Sequence, residues 1–216
     1  SLVDTQNDGF KVIFKSKEVA EVIWDQDASV TGRHNQLNAL AAIAAANHIG
    51  ISPQAAAEAL SRFKNVKRRL ETIGVANKVT VYDDFAHHPT AITTTVDGLR
   101  RRVGQSRILA VLEPRSNTMK LGIMKAQLPN SLEAADKVFA YGASAGKESL
   151  GWDLKEVLSP LNAQDGDRAI AFDDLSALVK AVANEAKPGD HILVMSNGGF
   201  GGVHQKILTA IQERVG

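Results

Sequence analysis

The 216-residue sequence contains no cysteine. That absence removes a disulfide framework, a thiolate zinc site and a cysteine nucleophile, and makes a reducing, cytoplasmic setting the expected one. An excess of one charge is missing too. The 25 Lys and Arg against 24 Asp and Glu leave a formal net charge of +1, with no whole-chain attraction for nucleic acid or an anionic membrane. Any charged ligand must therefore be held by a local cluster. No apolar run spans a bilayer, the longest small-apolar stretch being Ala39 to Ala46, and the N-terminal segment is polar without a signal-peptide pattern. What remains, 44% hydrophobic and 23% charged residues, is the balance of an ordinary globular chain and excludes disorder, collagen and coiled coil. Position 1 is Ser rather than Met and strand-like sequence follows closely, so a piece of a longer polypeptide is expected.

The grain of the sequence changes along the chain. Phe10 to Phe14 and Val19 to Trp24 carry β-branched and aromatic residues around a Lys-Ser-Lys turn, which predicts a hairpin. Leu37, Leu40, Ile43 and Ala44 recur at helical spacing within 35–48, and Ser52-Pro53 opens a second helix to about Arg62. Beyond that, short apolar strands alternate with amphipathic helices. Strands are expected at 69–75, 79–82, 107–112, 137–141, 168–171 and 191–195, with helices at 89–101, 127–135, 154–158, 174–186 and 202–214. The expected fold is α/β, a Rossmann-like, mostly parallel sheet flanked by helices over 67–216. Residues 1–66 then form the end of a preceding domain, with the boundary near Val66.

Five stretches carry chemistry. In Gly32 to Ala42 (GRHNQLNALAA), Asn35 and Asn38 lie three apart near a helix start and share one face. Paired carboxamides suit the donor and acceptor edge of a purine, and equally suit a helix cap and a backbone bond. Lys64, Lys67, Arg68 and Arg69 put four cations into six positions at the domain boundary, as a phosphoryl clamp or a solvated linker. Tyr82 to Thr90 (YDDFAHHPT) offers Asp83, Asp84, His87 and His88 at a strand-to-helix junction, where α/β sheets bind ligands. A metal centre is one reading, although adjacent residues rarely converge on one ion. Nucleotide contact through Asp84 and His87 is a second, and loop hydrogen bonds a third. Leu112 to Lys120 (LEPRSNTMK) presents Arg115 as a planar fork for a carboxylate with Lys120 nearby. Ser196 to His204 (SNGGFGGVH) follows a strand and opens a helix, as an anion-binding turn or a structural one; it does not fit G-x-G-x-x-G. Gly142 to Glu148 imitates a P-loop but is one residue short, and Glu148 stands where a hydroxyl would hold magnesium, so it is assigned as a plain loop.

Together, GRHNQLNALAA, FKNVKRRLE, VYDDFAHHPTAI, LEPRSNTMKLG and ILVMSNGGFGGVHQK resemble the Mur ligase family in the same order along nearly the whole chain. The resemblance implies ATP-dependent amide-bond synthesis, in which a muramate carboxylate is phosphorylated and the acyl phosphate is attacked by an amine. It implies ATP and Mg2+ as cofactors, with the magnesium ligands outside this chain and no metal ligand set within it. LEPRSNTMK and MSNGGFGG resemble members that join UDP-N-acetylmuramate to the murein tripeptide L-alanyl-γ-D-glutamyl-meso-diaminopimelate in peptidoglycan recycling. The absence of the D-N-P-R element of the diaminopimelate-adding member fits a whole-peptide acceptor. The alternatives are the L-alanine-adding member and a non-ligase nucleotide- or metal-binding α/β module. Residue by residue, the resemblance implies adenine contact by Asn35 and Asn38 with His34 beside them, phosphate contact by Arg69, ribose contact by Asp84, and a less defined role for His87. Arg115, Asn117, Lys120 and Ser196 are implied for the incoming carboxylates. The family's P-loop has no match, so the chain alone is expected to be inactive. No nucleic-acid, membrane or obligate protein partner is expected.

Overall fold

A computed structural model describes residues 1–5, 9–24, 32–63, 66–143 and 149–214. The expectations for Lys64, Asn65 and 144–148 lie outside the described residues. The chain divides into two compact units, Ser1–Arg69 and Leu70–Gly216.

The first unit pairs three antiparallel strands, β1 (Leu2–Asp4), β2 (Phe10–Phe14) and β3 (Lys17–Val22), in the order β1-β2-β3, with helices α1 (Arg33–His48) and α2 (Pro53–Ser61). The hairpin turn is shorter than the sequence suggests. Phe14 pairs with Lys17, and Lys15 and Ser16 both have positive φ, 48° and 63°. Two left-handed residues match the right-handed twist of the flanking strands, so the ladder closes directly over them. Phe10, Val12, Val22 and Trp24 bury against Ala39, Ile43 and Ala57. The buried residues of α1 are Gln36, Ala39 and Ile43, whereas Leu37 is 49% exposed. The helical spacing of Leu37, Leu40, Ile43 and Ala44 marks the helix but not one buried stripe. An alanine-rich helix is apolar on several sides, and periodicity discriminates weakly there.

In the second unit six strands form one sheet in the order β4-β5-β9-β6-β7-β8. They are β4 (Glu71–Ala76), β5 (Val79–Asp84), β6 (Ile108–Leu112), β7 (Lys137–Tyr141), β8 (Ala169–Phe172) and β9 (His191–Met195). Only the β4–β5 pair is antiparallel. The helices are α3 (Pro89–Val103), α4 (Asn117–Lys120), α5 (Leu128–Ser131), α6 (Leu154–Leu158), α7 (Asn162–Asp165), α8 (Leu175–Glu185) and α9 (Val203–Glu213). The helix expected over 127–135 is confined to α5 after a 3-10 turn at Lys125–Gln127, because Leu132 already leaves helical geometry at φ −109°, ψ 3°.

Every residue of β6 is fully buried, as a parallel strand covered on both faces requires. Alternation then sorts the side chains. Ile108, Ala110, Leu112, Leu193 and Met195 pack with Ile92, Val96 and Leu99 of α3, while Leu109, Val111, Ile192 and Val194 pack with Leu178 of α8 and Ile207 of α9. At the carboxyl edge Asp84 and Leu112 both register with Met195. The chain leaving β5 and β6 passes to the α3 face, and the chain leaving β9 passes to the α9 face, so a crevice opens where these connections diverge. Among the described residues, no helix is long and apolar enough to cross a membrane.

Candidate functional site

In the first unit, α1 starts after Gly32, whose φ of 85° suits glycine, with no side-chain cap. Asn35 donates its own N–H to the Gly32 carbonyl at 3.0 Å and therefore lies inside the helix, not at its cap. Asn35 is half-buried, and His34 and Asn38 are exposed. Behind them Arg33 bridges to the Asp4 carboxylate at 2.9 Å and to buried Gln36 at 3.3 Å, tying the helix start to β1. Arg69 closes this unit as an exposed residue between Arg68 and Leu70, which have φ of 59° and 51°.

In the second unit the paired aspartates do not act together. Both lie in β5, where successive side chains point to opposite faces. Asp83 lies against α9, its Oδ1 at 3.1 Å from His204 Nε2 in poor hydrogen-bond alignment. Asp84 turns the other way. Its Oδ2 accepts the Leu70 N–H at 2.8 Å, and its Oδ1 accepts the Ala86 N–H at 2.7 Å and the Thr95 hydroxyl of α3 at 3.3 Å. The Asp84 carboxylate thus holds the start of β4, its own loop and α3 together, and it is 3% exposed. The loop turns back so that the His87 Nδ1–H donates to the Phe85 carbonyl at 2.8 Å, and the His87 ring meets the Phe85 ring edge-on at 5.3 Å. His88 precedes α3 without capping it through its side chain. Among the described residues no group of three His, Cys, Asp or Glu is placed to hold a metal ion.

The strongest convergence is between the loops after β6 and β9. Arg115, Ser116, Asn117 and Lys120 face Asn197, Gly198 and Gly199 across one polar cavity. Ser116 starts α4 by accepting the Met119 N–H at 3.3 Å, which sets Asn117 and Lys120 on a single short turn. That turn is pinned from behind. The Trp152 indole donates to the Met119 carbonyl at 2.6 Å, and the Gly151 N–H donates to the Lys120 carbonyl at 3.1 Å. Ser196 is not part of the lining. It is 1% exposed, donates to Glu113 Oε2 at 2.5 Å and accepts the Gly198 N–H at 3.0 Å, so it braces the wall from inside. Ser196 is the first residue after the buried strand β9, and its hydroxyl is used up locally. The glycine-rich turn that follows reverses the chain through Phe200, Gly201 and Gly202, all at positive φ, and buries Phe200 beside Tyr141 with ring centroids 5.9 Å apart.

Of the residues proposed from sequence, Arg115, Asn117 and Lys120 come together. Asp84 and His87 belong to the neighbouring loop on the same sheet edge, Ser196 lies behind the cavity, and His34, Asn35, Asn38 and Arg69 belong to the first unit. Glu113, Asn197, Gly198 and Trp152 also shape the cavity and were not singled out. Asn197 and Gly198 were within reach, since they follow Ser196 in the same stretch.

The family described as Mur ligase, glutamate ligase domain, matches residues 68–198. The UDP-N-acetylmuramate-L-alanyl-gamma-D-glutamyl-meso-2,6-diaminoheptandioate ligase of Escherichia coli is 49% identical over 206 residues, which are 95% of this chain and 42% of that protein. The UDP-N-acetylmuramate-L-alanine ligase of Mycobacterium marinum is 33% identical over 190 residues, 86% of this chain and 38% of that one. A crystal structure of a murein peptide ligase from Psychrobacter arcticus superposes with a TM-score of 0.71 at 41% identity, covering all of this chain and 44% of the other. The chain thus spans about two fifths of the length of the curated relatives it matches. By the extent of the domain match and the 49% identity over nearly the whole chain, the chain belongs to the Mur ligase family.

Proposed function

We propose that the chain is the acceptor-binding part of an ATP-dependent ligase that joins UDP-N-acetylmuramate to L-alanyl-γ-D-glutamyl-meso-diaminopimelate. On this reading residues 67–216 bind the incoming tripeptide, and residues 1–66 are the end of the central ATP-binding domain. The observation that carries it is the polar cavity at the carboxyl edge of the sheet, where Arg115 and Lys120 stand with Asn117 and Asn197. Two cations among amides suit a ligand with carboxylates, and the tripeptide brings several. The higher identity to the tripeptide-named relative than to the L-alanine-named one, 49% against 33%, supports the larger acceptor.

ATP supplies the phosphoryl group that turns the muramate carboxylate into an acyl phosphate, and attack by the tripeptide amine forms the amide bond and releases phosphate. The chain's own residues bind and orient. Arg115 and Lys120 hold carboxylates so that the uncharged amine faces the reacting carbonyl, which replaces a bimolecular encounter by a positioned one. Asn35 and Asn38, with His34, offer paired donors and acceptors to adenine, and Arg69 offers a cation to the phosphates. Asp84 serves nucleotide binding indirectly, by fixing Leu70 next to Arg69 and the loop that carries His87. Magnesium is not assigned to any described residue, since none of them forms a suitable cluster.

Phosphate release by the full-length ligase containing this chain, measured with the tripeptide and with free L-alanine, tests the reading. The tripeptide is the expected acceptor. Arg115→Ala is expected to raise its KM about 10- to 100-fold, the loss of a hydrogen bond between charged partners. Arg69→Ala is expected to lower kcat about 100-fold or more. Preference for free L-alanine, or unchanged kinetics in both variants, sinks the assignment.

A further inference from the structure

Arg115 and Gly198 sit on different loops, yet the arginine reaches over the glycine, with its guanidinium nearest. A Cβ built on Gly198 would stand 2.3 Å from one Arg115 terminal nitrogen, 3.0 Å from Cζ and 3.1 Å from Cδ. No side chain fits there unless the guanidinium moves. Gly198 does not have positive φ, so the turn itself does not demand glycine. The arginine does.

The glycine is itself held in place. Its N–H donates to Ser196 Oγ at 3.0 Å, and that hydroxyl donates to Glu113 Oε2 at 2.5 Å. Glu113 precedes Arg115 on the same loop. Its N–H donates to the Met195 carbonyl at 3.0 Å, and its carbonyl accepts the Arg115 N–H at 2.9 Å. The links therefore run in a ring from Glu113 through Ser196 and Gly198 to the Arg115 side chain and back along the Arg115 backbone. A long side chain facing water ordinarily samples many rotamers; a bare backbone platform beneath it removes part of that freedom before ligand arrives.

We propose that Gly198, held by Ser196 and Glu113, is the positioning residue for Arg115 and so sets which acceptor carboxylate the guanidinium can reach. The proposal rests on the reading that Arg115 binds the acceptor. Gly198→Ala displaces the guanidinium without straining the backbone, so it weakens acceptor binding without unfolding the protein. Ser196→Ala loosens the platform and acts in the same direction, more weakly.

A double-mutant cycle in the full-length ligase tests it, with KM for tripeptide, ATP and UDP-N-acetylmuramate measured separately alongside Tm. Gly198→Ala is expected to raise the tripeptide KM about 10-fold, comparable to losing part of a charged hydrogen bond, while the other two KM values and Tm stay at wild type. In an Arg115→Ala background it is expected to change the tripeptide KM by less than about 2-fold. Equal factors in both backgrounds, or an unchanged KM in the single variant, overturn the positioning role. If Gly198→Ala lowers Tm, the same cycle run with Ser196→Ala decides, because that substitution removes only a hydroxyl; equal factors there overturn the role as well. A tripeptide KM that Arg115→Ala leaves unchanged overturns the acceptor reading itself, and that outcome is distinct from the others.

Discussion

Replacing Asp84 should cost folding stability before it costs activity. Both carboxylate oxygens are committed to main-chain donors, Leu70 at 2.8 Å and Ala86 at 2.7 Å, and both donors belong to buried residues, 5% and 1% exposed. Hydrogen bonds to a charged acceptor contribute about 1.5–3 kcal/mol each, and a buried N–H stripped of its partner recovers little from solvent. Asp84→Ala should therefore cost about 3–6 kcal/mol, a large part of the 5–15 kcal/mol typical of a domain. Asp84→Asn keeps one acceptor and turns an NH2 group toward the second N–H, so about 2–3 kcal/mol is expected. Thr95→Val removes only the longest bond, 3.3 Å, and should cost under about 1 kcal/mol. Urea unfolding followed by circular dichroism gives the free energies, and native-state amide exchange at Leu70 and Ala86 locates them. If Asp84→Ala stays within about 0.5 kcal/mol of wild type with both amides still protected, the carboxylate is not the tie described here.

Two further outcomes follow from named contacts. Burial, assisted by Arg102, holds the His191 pKa below its ordinary 6.5, and burial raises the Tyr82 pKa above its ordinary 10.0; the Tyr82 hydroxyl and His191 Nδ1 are 3.0 Å apart. The unfolded chain binds the His191 proton more tightly, so that contribution is complete above pH 6.5 and is lost as pH falls below it toward the folded pKa. The unfolded Tyr82 ionises first, so its contribution is complete below pH 10.0 and is lost as pH rises toward its folded pKa. Unfolding free energies across pH should show His191→Asn flattening the decline just below neutrality and Tyr82→Phe flattening the alkaline one; wild-type slopes in both variants refute the coupling. At the glycine-rich turn, Gly201 has φ 56° and its Cβ would meet Leu175 Cδ2 at 2.7 Å, whereas nothing lies within 4 Å of a Cβ on Gly199. Gly201→Ala should lower stability by about 1–3 kcal/mol and Gly199→Ala by under about 0.5 kcal/mol, and equal Tm values for the two refute the steric argument.

What could be read from the sequence, and what could not, divides along the distance over which each residue finds its partners. The strand Ile108 to Leu112 is legible because a short apolar run of five, too brief for a helix and carrying β-branched residues, fits a strand covered on both sides, and the structure buries all five. Arg115, Asn117 and Lys120 are legible for a related reason: they follow that strand directly, and strand ends meet at one edge whatever the details beyond. The strand Leu2–Asp4 is illegible, since three residues carry no usable period. Asp83 and Asp84 mislead because adjacency in sequence suggests a joint site, while the pleat of β5 sends one carboxylate to α9 and the other to α3. Ser196 misleads differently. Its place in the stretch was evident, but the side chain that captures its hydroxyl, Glu113, is 83 residues away. The same separation hid the part Gly198 plays, since in sequence it looks like one more turn glycine and in the fold it lies against Arg115. Sequence therefore located the loops that meet at the cavity and several of its lining residues. It did not separate those that line it from those, such as Ser196, that brace it from behind, because that depends on neighbours only the sheet brings together.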